Sequence, residues 1–300
     1  MTGATQRGTR RKRAIRSLAV AALALGSVGA SVALGALSQN EEQKFLPYNV
    51  FGDVTASCPH KQHIAFGGFK TDTKVGFGTP NPLLFPASMG PIGKDTNKWS
   101  TVAASPAFSG GKLSSIAYCK GGDEPKVVRA TKIVLQSAAN DEYRKVQVSC
   151  PKGRNVIGGG WAARASSPLY GPAGQPRIDI MGLRRTSNRT WEVSVINATT
   201  SGQVAVTAIA LCGKASAPKS ATATEMVPAF NGTKDATATC PKGTEVAFGG
   251  FQGDYDDLSG RNAFILSFYR SSKRAITVHG GQNYLGGTAA SKLQAFAYCS

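Results

Sequence analysis

The sequence predicts an all-β protein made of three copies of one disulfide-bridged unit, and three observations carry that expectation. A twelve-residue stretch that begins Cys-Pro occurs three times, at 58–69, 150–161 and 240–251. Each copy has one further cysteine downstream, at Cys119, Cys212 and Cys299, and these six are all the cysteines in the chain. Glycine is abundant, with 35 residues of 300, charged residues are sparse at 17%, and short alternating apolar runs replace helical stripes after residue 37.

Spacing makes the repeat hard to dismiss. The first cysteines lie 92 and 90 residues apart and the second cysteines 93 and 87. Such internal periodicity overrides the domain count that length alone suggests. The copies occupy 41–122, 123–214 and 215–300, behind a leader at 1–36.

The leader holds six lysine or arginine side chains and no acid, and an uncharged run from Ser17 to Leu37 completes it. A basic head, an apolar middle and small residues before Ala30 and Ala36 form a secretory signal pattern. The run is also about as long as a spanning helix needs, so an uncleaved anchor is the alternative. On either reading, residues 38 onward are expected outside the cytoplasm, where paired cysteines persist.

The middle copy shows the plan of one unit most clearly. Ile133 to Leu135 form a first strand, and Lys145 to Cys150 alternate as a second, half-buried one. Cys150-Pro151-Lys152-Gly153 suits a type I turn, with proline second and glycine fourth. A third strand starts at Asn155 and runs into Gly158, Gly159 and Gly160, where glycine marks a bulge or the close approach of another chain segment. The aromatic that follows, Trp161 here and Phe69 or Phe251 in the other copies, is expected to cover the missing side chains. Ile178 to Leu183 and Trp191 to Ile196 read as a hairpin with its turn at Arg184 to Arg189, and Val204 to Cys212 is the last strand. The third copy repeats this plan, and the first does so with Pro80, Pro82 and Pro86 weakening its fourth strand.

Only pairing inside each repeat treats the three copies alike, which gives Cys58–Cys119, Cys150–Cys212 and Cys240–Cys299. Each bridge closes a loop of about sixty residues, roughly 4 kcal/mol in the chain-entropy model. The units are expected to assemble either as three small β-modules or as one pseudo-threefold, β-prism-like body in which each repeat supplies one sheet. The repeated Cys-Pro-x-Gly, Gly-Gly-aromatic and downstream cysteine resemble those of secreted bacterial repeat proteins to which no activity is assigned. That resemblance covers 41–300, departs at Lys61 where the turn glycine is replaced, and supplies no functional residues.

Chemistry is less legible. Gly158 to Ala163 match a dinucleotide fingerprint in letters, but no helix opens on the glycines and the other copies lack the pattern, so no cofactor is expected. His60, His63 and His279 read as turn histidines, with every cysteine committed to a bridge, so no metal site is expected from them. Asp254 to Gly260 is the one acidic cluster, without the EF-hand spacing for calcium.

The chain carries net charge +18, and beyond the leader 29 basic residues face 17 acidic ones. Arg184, Arg185 and Arg189 are the candidate contact for an anionic partner: an envelope glycopolymer, an anionic polysaccharide or lipid headgroups. No nucleic-acid-binding motif is present, and a membrane enters only if the leader is uncleaved. The expected function is a secreted, non-enzymatic binding or structural module. An extracellular hydrolase with its site at a repeat junction is the alternative.

Overall fold

A computed structural model describes residues 37–47, 50–71, 84–105, 110–135, 144–165, 178–197, 203–229, 232–256, 261–282 and 289–300. They belong to one compact unit, Gly35–Ser300, and none of them is helical. The first repeat holds β1 (Ser38–Leu46), β2 (Phe51–Ser57), β3 (His63–Thr71), β4 (Phe85–Pro91), β5 (Lys98–Ala104) and β6 (Gly111–Lys120). The second holds β7 (Lys126–Leu135), β8 (Arg144–Ser149), β9 (Asn155–Ala165), β10 (Ile178–Ser187), β11 (Thr190–Asn197) and β12 (Gln203–Gly213). The third holds β13 (Lys219–Val227), β14 (Thr233–Thr239), β15 (Val246–Gly253), β18 (Phe264–Ser272), β19 (Ala275–Gly281) and β20 (Ser291–Cys299). Between β15 and β18 lie two short strands, β16 (Tyr255–Asp256) and β17 (Arg261–Asn262).

No repeat owns a sheet. The three six-stranded antiparallel sheets run β1-β6-β3-β18-β19-β14, β13-β20-β15-β10-β11-β8 and β2-β5-β4-β9-β12-β7. Each therefore takes the first, sixth and third strands of one repeat and the fourth, fifth and second of another. The pairing closes cyclically, so the body is pseudo-threefold and the arrangement as three separate small modules does not hold. One apolar core runs through all three repeats.

The glycine motif explains the interlock. β3, β9 and β15 contact one another at the centre, and each carries a bulge before its glycines, at Ala65, Ile157 and Ala247. A Cβ on Gly67, Gly159 or Gly249 would lie 2.1, 2.4 or 2.8 Å from Trp99, Trp191 or Ile276, the fifth-strand side chain of the same repeat. A Cβ on Gly68, Gly160 or Gly250 would lie 2.4, 2.0 or 2.5 Å from the carbonyl oxygen of Phe268, Met89 or Leu183, in the fourth strand of another repeat. The first glycine of each pair seats a core side chain, and the second lets one repeat join the next. The following aromatics, Phe69, Trp161 and Phe251, are fully buried opposite Phe268, Met89 and Leu183.

The bridges are Cys58–Cys119, Cys150–Cys212 and Cys240–Cys299, each with Cα atoms 5.6 Å apart, and no described cysteine is free. Each joins the end of a second strand in one sheet to a sixth strand in another, so every pair of sheets is stapled once. Such bridges belong to an oxidising compartment.

Several strands outrun their sequence signals. β7 starts at Lys126, far ahead of Ile133, because this sheet-edge strand pairs with β12 over its whole length. β10 runs on to Ser187, so Arg184 and Arg185 lie in a strand opposite Glu192 and Trp191, and the turn is only Asn188-Arg189. β4 forms despite Pro86 and Pro91, with a register shift just after Pro86. Pro80 and Pro82 lie outside the described residues.

Candidate functional site

The antiparallel order gives the body two chemically different ends. At one end lie the three Cys-Pro turns, the hairpin turns between fourth and fifth strands, and the links between repeats. At the other lie the connections that precede the second, fourth and sixth strands. The segments 70–82, 162–176 and 252–262, which differ most between the copies in sequence, follow β3, β9 and β15 from that end, and residues 72–82, 166–176 and 257–260 lie outside the described residues.

Charge separates along the same division. The hairpin-end segments 58–62, 92–98, 120–126, 150–154, 184–190, 213–219, 240–245 and 270–275 contain 16 lysine and arginine residues against 4 acidic ones. The remainder of 37–300 contains 13 of each. The entire positive excess of the body therefore sits at one end. Lys61, Lys94, Lys152, Lys242 and Lys273 project from its turns and are exposed.

Local geometry holds these turns in register. Each Cys-Pro turn needs a left-handed residue at its fourth position, met by Gly153 at φ 80° and Gly243 at φ 87°. Lys61 adopts φ 63° at the equivalent place, a conformation that costs a side-chain-bearing residue about 1–2 kcal/mol. The Arg189 guanidinium donates from Nε and Nη2 to the Cys150 carbonyl at 3.0 and 2.7 Å, and Arg274 does the same to Cys240 at 3.2 and 2.7 Å. These arginines fasten the hairpin turns of the second and third repeats to the adjoining Cys-Pro turns, and Asn97 holds the equivalent place in the first.

The three arginines singled out from the sequence are close in the chain and diverge in space. Arg184 Nη2 meets the buried carboxylate of Glu192 at 3.2 Å, which also accepts from Gln147 at 2.7 Å. Arg189 is turned onto Cys150. Arg185 lies in the joint between the second and third repeats, its guanidinium 4.7 Å from the Tyr298 ring centroid and 5.8 Å from that of Phe248. Its Nη2 donates to the Pro218 carbonyl at 2.6 Å. All three are engaged within the fold, so they do not form one open cluster.

The joint itself is built twice. The Arg185 N–H donates to Tyr298 Oη at 2.8 Å, and the Arg270 N–H donates to Tyr118 Oη at 2.7 Å. Tyr298 stacks on Phe248, and Tyr118 on Phe66, with centroids 4.3 Å apart in both. Burial pushes the Tyr298 phenol up to about 12 against the lowering effect of Arg185, and it pushes Tyr118 up as well. Burial also lowers both guanidinium groups from their ordinary range. At the third joint, Leu211, Gly158 and Pro91 hold the places of tyrosine, phenylalanine and arginine. There Arg129 donates from β7 to the carbonyls of Pro91 and Gly93.

The histidines divide three ways. His60 is exposed, while His63 is buried and its pKa is pushed below the ordinary histidine value by desolvation. His279 Nδ1 lies 2.6 Å from Asp235 Oδ1, and Ser267 is its register partner on the other side. Ser267 Oγ is directed to the joint, where it accepts from the Thr71 N–H at 3.1 Å. Among the described residues no three histidine, cysteine or acidic side chains are grouped to hold a metal. Residues 257–260 of the acidic loop lie outside them. A polar depression of about 210 Å³ at the loop end is lined by Gln252, Gly253, Asp254, Lys292 and Gln294. It is smaller than the roughly 300–1,000 Å³ of ordinary small-molecule pockets.

Proximity in the chain singles out Arg184, Arg185 and Arg189, whereas the turn lysines are spread along the sequence. Their signal was present in Lys152 and Lys242 at matching places in two copies. No family model matches this chain, and no curated protein matches it.

Proposed function

We propose that this chain is a secreted, non-enzymatic module of the cell envelope that binds an anionic polymer through its hairpin end. The observation that carries this reading is the charge division, 16 basic against 4 acidic residues at that end and parity elsewhere. Clustered like charges raise the local potential to several kT and concentrate polyanions. The turns that carry the lysines are braced by disulfides and arginine caps, so little conformational freedom is lost on binding. The leader and the bridges agree with export. The partner class is a phosphate-bearing glycopolymer or an acidic polysaccharide, read as a linear array of charges rather than as a shape.

The test is retention on immobilised polyphosphate and on a sulfated polysaccharide over a range of salt concentrations. Binding is expected at low ionic strength with steep loss as salt rises. Passage without retention at low salt contradicts the reading.

A hydrolytic site at a junction is the second reading, favoured by the Asp235–His279 pair with Ser267 beside it at the contact of the first and third repeats. Ester hydrolysis abolished by His279→Ala would support it. Unchanged rates in that variant would remove it.

A further inference from the structure

The cationic end is also the end at which the chain enters the folded body. β1 begins at Ser38, opposite Cys119, and the Ser38 hydroxyl donates to Gln62 in the first Cys-Pro turn at 2.7 Å. Leu37 packs against the core. In sequence, the uncharged run from Ser17 to Leu37 ends next to Ser38, the first residue of β1.

A stretch of that length and composition reaches across or into a bilayer. Along the chain, the end of the body at which β1 begins is the end nearest to that run. We propose that the hairpin end docks on an anionic lipid surface in the form of the chain that retains residues 1–36. This rests on the anion-binding reading above and names its partner.

Two features fit lipid headgroups. Basic side chains within a Debye length of an anionic leaflet each raise partitioning roughly fivefold, and Lys61, Lys94, Lys152, Lys242 and Lys273 all project from this end. Among the described residues, most exposed large apolar side chains lie elsewhere, since Phe45, Ile133 and Met226 hold equivalent places at the loop end, with Val50, Phe51 and Leu135 near them. Ile92 alone accompanies the lysines. The contact is therefore electrostatic and at headgroup level, without apolar insertion. The rest of the body, with balanced charge, adds no attraction to the leaflet.

The full chain is reconstituted in vesicles of phosphatidylcholine alone, or with phosphatidylglycerol added, and amide exchange is followed by segment. Exchange at the turns 152–154, 188–190, 242–244 and 273–275 is expected to slow tenfold or more only in anionic vesicles. The effect disappears in the combined variant Lys94→Glu, Lys152→Glu, Lys242→Glu, Lys273→Glu, while strand exchange shows that the variant is folded. Equal exchange in the two vesicles, or protection confined to the loop end, overturns the docking. A third arm adds soluble polyphosphate to the neutral vesicles. Protection of the turns there, with none from anionic lipid, rejects the lipid surface and leaves polyanion binding standing. No protection in either arm rejects both.

Discussion

Two joints between repeats are closed by a tyrosine and an arginine, and the third by a leucine and a proline. The difference follows from one backbone group. At the position of Arg185 and Arg270 the main-chain N–H is available and receives a buried phenol, Tyr298 or Tyr118. Pro91 at the same position has no N–H to give, and Leu211 holds the place of the tyrosine. A tyrosine there would bury a hydroxyl without this donor. The chain thus changes both members of the pair together, which indicates that these joints are specified by local chemistry and not by apolar burial alone. The arginines owe their place to this geometry. They look like a ligand-binding cluster in the sequence and work as structural clamps in the fold.

The comparison can be broken most severely at what the joints share. Gly160→Ala sets a Cβ 2.0 Å from the Met89 carbonyl oxygen, and Gly250→Ala sets one 2.5 Å from that of Leu183. Each is expected to cost about 3 kcal/mol or more, because the obstacle is backbone and cannot rotate away. Denaturant unfolding of the two variants checks this, and similar losses at both joints are expected.

Alkali should separate the joints. The Tyr298 phenol titrates at about 12 in the folded chain, against about 10 when exposed. A raised phenol value means that the unfolded chain loses its proton first as pH rises. Stability from this group is therefore complete below about pH 10 and lost between about 10 and 12, about 2–3 kcal/mol in total. Unfolding midpoints across that window should fall less steeply in Tyr298→Phe than in the native chain. Exchange at the Leu211 joint should lag behind exchange at the two tyrosine joints.

Near neutral pH, Tyr298→Phe and Tyr118→Phe leave a buried N–H without its acceptor, at about 1–2 kcal/mol each. Leu211→Phe removes no hydrogen bond, and Leu211→Tyr should be worse than Leu211→Phe by a similar amount. Chemical denaturation of the four variants orders them. The smallest effect is at the odd turn. Lys61→Gly relieves a left-handed residue that the other copies fill with glycine, and should stabilise by about 1 kcal/mol in a thermal melt.

Much of the fold was legible because its signals are local and written three times. The cysteines, the Cys-Pro turns and the alternation of Lys145 to Cys150 gave the strands and the bridge pairing. Sharing of sheets between repeats was not legible, since pairing Phe69 with Phe268 joins residues from opposite ends of the chain. Gly160 signalled close approach without naming Met89 as the neighbour. The placing of the candidate arginines was less legible. Arg184, Arg185 and Arg189 drew attention as neighbours in sequence, while β10 continues through two of them and each finds an internal partner. Lys94, Lys152, Lys242 and Lys273 are scattered along the chain, and only the antiparallel order gathers them at one end.

The central claim is that the position of the charge, rather than its sum, makes the hairpin end a working surface. Two variants of equal net charge test it by titration against polyphosphate at low salt. One reverses Lys94, Lys152, Lys242 and Lys273 to glutamate at the hairpin end, and the other reverses Lys44, Lys132, Lys234 and Lys292 toward the loop end, all of them exposed in the native chain. Binding should collapse in the first and stay close to the native affinity in the second. Equal loss in both would contradict the account, leaving net charge as the whole of the attraction.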